Sequence, residues 1–184
     1  MGTAPCRSCI AQLRPAPGLP PPRGLEDLVA LLSYEGVGAT LVRRLKFANH
    51  RDALGPLAAA LAGLLETHPE TRLVDSVTWV PTTARRRRER GFDQAQLLAV
   101  AVATELGMAC RASLRRLDTT HQVGRGRLER LAGPTLVARS AGAGARWLVV
   151  DDVVTTGATM TSAATALLDA GAASVVGAAL ARTA

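Results

Sequence analysis

The stretch Trp147-Leu148-Val149-Val150-Asp151-Asp152-Val153-Val154-Thr155-Thr156-Gly157-Ala158-Thr159 limits what this chain can fold into more than any other. An aliphatic run of strand length leads into two acids, then hydroxyls around one glycine, then a helical pattern from about Thr159 to Ala170 that closes at Gly171. A strand, loop and helix in that order form the unit of a parallel sheet with helices packed on it. Ligands of such sheets sit at the carboxyl ends of the strands, where this loop falls. The first N–H groups of the helix are free to bind an anion, and the helix dipole adds to the attraction. Gly157 lets the backbone close on a phosphate without a Cβ in the way, and Thr155, Thr156 and Thr159 add hydroxyl donors. Asp151 and Asp152 repel a phosphate, so they must serve a neutral or cationic part of the ligand: vicinal ribose hydroxyls, or a metal bridging them. Acids capping a strand, or Thr159 or Thr161 as a helix N-cap, would explain any one of these features alone. The combination favours a sugar-phosphate site.

The rest of the chain supplies further units of the same kind. The pattern from Leu25 to Leu65 is helical, and 54–65 is a nearly continuous Ala/Leu helix. Residues 73–80 alternate and are rich in β-branched side chains, so they predict a strand stopped by Pro81. A basic loop, Arg85-Arg86-Arg87-Arg88-Glu89-Arg90-Gly91, follows it. Next comes a helix over 94–106 closed by Gly107, then a short strand near 112–117. Residues 118–135 are Arg- and Gly-rich without apolar periodicity and predict a loop, and a last strand covers about 174–181. Residues 1–24, with Pro20-Pro21-Pro22, predict an irregular arm. Residues 25–184 then form one domain, divided into a helical part (25–72) and a core (73–184).

At 184 residues the chain is large enough for one α/β core. Aromatic residues make up only 3 % while apolar residues reach 48 %, so that core must be built from Ala, Leu and Val. Trp79 and Trp147 fall in strands and belong to it rather than to a base-stacking platform. The net charge of +7 is carried almost wholly by arginine, since Lys46 is the only lysine. Arginine forks suit phosphate and pyrophosphate, so polyanions are candidate partners. Arg85 and Arg90 are the candidates from the basic stretch, because it follows a strand end. Lys46 is a further candidate, a point charge on a flexible stem. Cys6 and Cys9 supply half of a tetrahedral zinc site and no second pair follows, so zinc is not expected. Cys110 reads as a small buried hydrophobe. Three cysteines and no apolar run of membrane-spanning length predict a cytoplasmic protein without membrane insertion.

The run Val150–Thr159 resembles the phosphoribosyl-pyrophosphate motif of type I phosphoribosyltransferases. Further stretches narrow the resemblance to the ComF family, associated with DNA uptake and competence in bacteria: Tyr34-Glu35-Gly36 with Leu45-Lys46-Phe47, Val80-Pro81, and Arg90-Gly91-Phe92-Asp93-Gln94-Ala95. A weaker one is Arg116…Thr119…Gln122…Arg130. The resemblance implies a type I phosphoribosyltransferase fold: a central parallel sheet flanked by helices, with a small N-terminal helical hood. It implies that Asp151 and Asp152 contact ribose hydroxyls. Val154, Thr155, Thr156, Gly157, Ala158 and Thr159 would hold the 5′-phosphate. Arg85, Arg90 and Lys46 would lie near the pyrophosphate, with Mg²⁺ carried by the ligand's own oxygens. Asp93 stands where the family usually shows Asn, and Gly133 where it usually shows Asn. The implied activity is displacement of pyrophosphate from ribose C1. The alternative is a non-catalytic protein that handles single-stranded DNA, works with competence proteins, or senses a nucleotide through the same pocket.

Overall fold

A computed structural model describes residues 10–45, 52–117, 133–139 and 141–184. Five strands form one parallel sheet: β1 (Leu28–Ser33), β2 (Ser76–Trp79), β3 (Ala109–Cys110), β6 (Arg146–Val154) and β7 (Ser174–Arg182), in the order β1-β7-β6-β2-β3. Two short strands, β4 (Leu114–Arg116) and β5 (Leu136–Ala138), pair antiparallel beside it. The helices are α1 (Gly36–Leu45), α2 (Leu54–Thr67), α3 (Ala84–Arg90), α4 (Gln94–Glu105) and α5 (Ala158–Asp169), with a 3₁₀ turn at Pro69–Leu73.

All nine residues of β7 are buried, as a strand covered on both faces requires. A Cβ at Gly177 in its middle would lie 2.7 Å from a Leu28 methyl and 2.9 Å from one of Leu25, so close packing demands the glycine. One face of the sheet carries α1, α2 and α4 through Val42, Leu57, Leu61, Leu65, Leu98 and Val102. The other face carries α5 and the small sheet through Met160, Ala163, Leu167, Leu114 and Leu136. Trp147 is buried there, its indole N–H donating to the Ala141 carbonyl at 2.7 Å. Trp79 packs against the first core, as does the half-buried Cys110, whose thiol burial pushes up and keeps protonated near neutrality. Both tryptophans are therefore packing residues, as their sequence context predicts.

Three sequence expectations need correction. The helical reading of Leu25–Leu65 fails at its start, where Leu28–Ser33 is an edge strand pairing in parallel with β7. Its apolar run, five residues from Leu28 to Leu32, carries no period that separates a strand from a buried helix turn. The strand expected over 112–117 is only three residues long, and its partner β5 was not foreseen. The basic stretch after Pro81 is not a loop. It is helix α3, capped at its start by Thr83, whose hydroxyl accepts from the Arg86 N–H at 3.2 Å, and ended by left-handed Gly91.

The described part of the proline-rich arm, residues 10–24, is fixed along the sheet. The Arg14 carbonyl accepts from the Ser33 N–H at 2.9 Å, and Pro15 bridges Leu32. At the end of β7 the buried Arg182 guanidinium donates to the carbonyls of Leu19 (2.9 Å) and Pro20 (2.7 Å).

Candidate sugar-phosphate site

The connections around the sheet create the site. From β6 the chain runs through α5 on one face to β7; from β2 it runs through α4 on the opposite face to β3. Since β6 and β2 are neighbours, the chain departs from them in opposite directions. A cleft opens between the carboxyl ends of two such strands, the usual place for a ligand in an open α/β sheet. A cleft of about 200 Å³ lies there, lined by Val80, Pro81 and Thr82 after β2 and by Asp151, Asp152 and Val153 of β6. Arg86, Arg90, Asp93, Gln94, Arg116 and Thr159 complete its wall.

The two acids sit inside β6 rather than in the loop after it. Both are half-buried, and one Asp151 carboxylate oxygen accepts from the Asp152 N–H at 2.8 Å. Asp151 lines both the cleft and the adjoining turn, whereas Asp152 lines the cleft alone. The turn itself encloses a small hollow of about 20 Å³ bounded by Val154, Thr155, Thr156, Gly157, Ala158 and Thr159. Thr155 and Thr156 are exposed.

Helix α5 starts differently from its neighbours. Thr83 caps α3 and Asp93 caps α4 by side-chain hydrogen bonds, but the N-cap of α5 is Gly157, which has no side chain to offer. The Ala158 N–H bonds the Thr156 hydroxyl at 3.4 Å, and the first backbone bond onto the turn is Thr161 N–H to the Gly157 carbonyl at 2.9 Å. First-turn amides without a side-chain cap are of the kind that can take an anion. Gly157 has φ +76°, and a Cβ there would lie 2.7 Å from Pro22 Cγ, so both conformation and space require glycine. The turn is thus braced from outside by the arm. On its other side, Thr183 N–H donates to the Val154 carbonyl at 3.0 Å and its hydroxyl to the Thr155 carbonyl at 3.3 Å. Gly133, also left-handed, packs so tightly on the Ala158 carbonyl (2.7 Å from a notional Cβ) that the Asn expected at this position would not fit.

Helical periodicity sorts the arginines. Arg86 and Arg90, four apart, share the face of α3 that lines the cleft. Arg85, a sequence candidate, does not line it: its Nε donates to Glu89 at 2.7 Å across one turn on the exposed side, holding that carboxylate below its usual range. Arg116 enters from β4, with Nη1 3.5 Å from the Pro81 carbonyl. Lys46, Cys6 and Cys9 lie outside the described residues, as do Thr119, His121, Gln122, Arg125, Arg127 and Arg130.

Asp93 places no uncommitted carboxylate in this basic wall. It is 6 % exposed, accepts from the Thr82 N–H at 2.9 Å and caps α4 through the Gln96 N–H at 3.4 Å. One side chain thereby ties the turn after β2 to the start of α4, using both oxygens. An Asn has a single acceptor oxygen, so Asp satisfies both amides where Asn would satisfy one. Beside it Gln94 is 5 % exposed, and neither its amide nitrogen nor its amide oxygen has a partner among the described residues. Two such orphaned atoms cost about 1–3 kcal/mol each.

Comparison with known proteins shows the family and the fold. The phosphoribosyl transferase domain family matches residues 93–183, the segment that carries Asp93, the acids and the turn. The DNA utilization protein YhgH of Salmonella typhimurium is 32 % identical over 182 residues, covering 93 % of this chain and 74 % of that protein. The chain belongs to the ComF family of phosphoribosyltransferase-like proteins. YhgH of Escherichia coli K12 is 30 % identical over 180 residues, with the same coverage. The competence protein ComFC of Bacillus subtilis is 28 % identical over 150 residues, 80 % of this chain and 60 % of that one. The parallel sheet flanked by helices is accordingly the type I phosphoribosyltransferase fold. Among the described residues no helix is long and apolar enough to cross a membrane.

Proposed function

We propose that this chain binds phosphoribosyl pyrophosphate across the cleft between β2 and β6 and transfers its phosphoribosyl group to an acceptor, displacing pyrophosphate from C1. The observation that carries the reading is the uncapped start of α5 beside Asp151 and Asp152, in one cleft with Arg86 and Arg90. The first-turn amides and the hydroxyls of Thr155, Thr156 and Thr159 take the 5′-phosphate. The two carboxylates accept from the ribose hydroxyls and orient the ring. As the bond from the acceptor forms at C1, the C1–O bond breaks and its electron pair leaves on pyrophosphate. Arg86 and Arg90 stand where that charge accumulates, and fixed cations aimed at developing charge are an effective form of catalysis.

No group of three or more His, Cys, Asp or Glu among the described residues converges on a metal. The half-buried Asp151 and Asp152 nevertheless fit a hydrated Mg²⁺ carried in on the ligand's oxygens, and Lewis-acid neutralisation of the pyrophosphate is the chemistry it would supply. The DNA utilization and competence names of the relatives support a link between this proposed reaction and the handling of DNA.

Calorimetry with phosphoribosyl pyrophosphate and Mg²⁺ tests the site. Asp152→Asn is expected to weaken binding about tenfold or more, the scale of one hydrogen bond to a charged group, and Arg14→Ala on the exposed arm to leave it unchanged. Equal affinity in both variants removes the assignment. Incubation with labelled phosphoribosyl pyrophosphate and a panel of bases and amines then tests transfer; label that stays intact with every acceptor, in a protein that binds it, favours the sensing role.

A further inference from the structure

The most unusual group in the cleft is one that the proposed reaction has not used. Gln94 opens helix α4, lines the cleft, is only 5 % exposed, and finds no partner among the described residues for either polar atom of its carboxamide. Since both atoms are orphaned, turning the amide over changes nothing. A native structure retains such a group when a ligand or ordered water completes it. The neighbours narrow what that ligand is. Arg86, Arg90 and Arg116, which line the same cleft, are donors only, so they select an anion whose oxygens are acceptors only. A bare oxyanion would satisfy the Gln94 nitrogen and leave its oxygen orphaned. The Asp93 carboxylate next to it is already occupied by the amides of Thr82 and Gln96 and offers no donor.

A hydrated metal complex of pyrophosphate presents both kinds of atom. The described residues hold no cluster able to strip a metal of its water. An ion that enters on pyrophosphate therefore keeps several waters, as Mg²⁺ does by preference, and those waters are strong donors. We propose that Gln94 is the residue that distinguishes metal-bound pyrophosphate from the free anion. Its amide nitrogen donates to a phosphate oxygen and its amide oxygen accepts from a water of the metal's hydration shell. The inference rests on the phosphoribosyl-pyrophosphate reading above and deepens it by naming the ionic form of the ligand and the side chain that reads it.

The test is calorimetric titration of inorganic pyrophosphate, with MgCl₂ and with EDTA, into the wild type, Gln94→Met and Gln94→Glu. Ribose 5-phosphate serves as the probe of the α5 turn. Met matches Gln in length but offers neither donor nor strong acceptor; Glu keeps an acceptor oxygen. Expected is a wild-type preference for the magnesium form that shrinks about tenfold in Gln94→Met, the scale of one hydrogen bond to a charged ligand, and survives in Gln94→Glu. Ribose 5-phosphate affinity stays unchanged in both. The inference is overturned if Gln94→Met weakens both forms equally, if it weakens neither, or if Gln94→Glu loses the magnesium preference as fully as Gln94→Met. A wild type that binds neither pyrophosphate nor ribose 5-phosphate brings down the reading it rests on; a wild type that binds both, with variants that match it, brings down this inference alone.

Discussion

At the scale of single residues, the site is defined by what side chains withhold as much as by what they supply. Gly157 withholds a cap from α5 and a Cβ from the space occupied by Pro22. Gly157→Ala forces a left-handed alanine at a cost of about 1–3 kcal/mol and drives its methyl into that proline. The variant is expected to bind ribose 5-phosphate at least tenfold more weakly in calorimetry, while Gly55→Ala, on open helix surface, binds as the wild type does. Gly157 was legible in the sequence because a glycine between threonines after an aliphatic strand has few other uses. Gln94 was not: it stood within the Arg-Gly-Phe-Asp-Gln stretch, but a glutamine becomes informative only when its burial and missing partners are seen. Asp93 was legible only as a departure from the family's usual Asn, while the structure shows its two oxygens closing a turn and a helix.

Among the elements, α3 shows how secondary structure decides which of several like residues can act. Consecutive arginines are equivalent in a loop, and the sequence singled out Arg85 and Arg90 only because their stretch follows a strand end. On a helix they separate by face: Arg86 and Arg90 line the cleft, and Arg85 pairs outward with Glu89. Removal of Arg86 or Arg90 is expected to lower the transfer rate by on the order of 10²–10³, as for other fixed contacts to developing charge. Arg85→Ala has little effect. Steady-state kinetics, or pyrophosphate affinity where no acceptor is in hand, reads the difference, and a larger effect at Arg85 would contradict the helical assignment. The elements with strong patterns, β6, α4, α5 and β7, were read from sequence to within a few residues. β1 and β5 were missed because Leu28–Ser33 and Leu136–Ala138 are too short for a period to declare itself, and only the neighbouring strand made them strands.

For the molecule as a whole, parallel pairing places the segments that line the cleft at the carboxyl end of the sheet. The ends of β2 and β6 bring together residues 80–94 and 151–159, which share no local sequence signal. Their proximity follows from the opposite directions of α4 and α5. The arm belongs to the same end, since Arg182 holds the Leu19 and Pro20 carbonyls while Pro22 supports the turn at Gly157. That long-range contact spans 163 residues of sequence and could not be inferred from either segment. The core beneath is built from leucine, alanine and valine, as the scarcity of rings required.

The central claim is that backbone amides at the start of α5 grip a sugar phosphate. Hydrogen–deuterium exchange of residues 155–160, with and without saturating phosphoribosyl pyrophosphate and Mg²⁺, addresses it directly. Slower exchange of these amides in the bound protein, with the distant start of α2 unchanged, is the result predicted. Unchanged exchange at 155–160 in a protein shown by calorimetry to be saturated would contradict it.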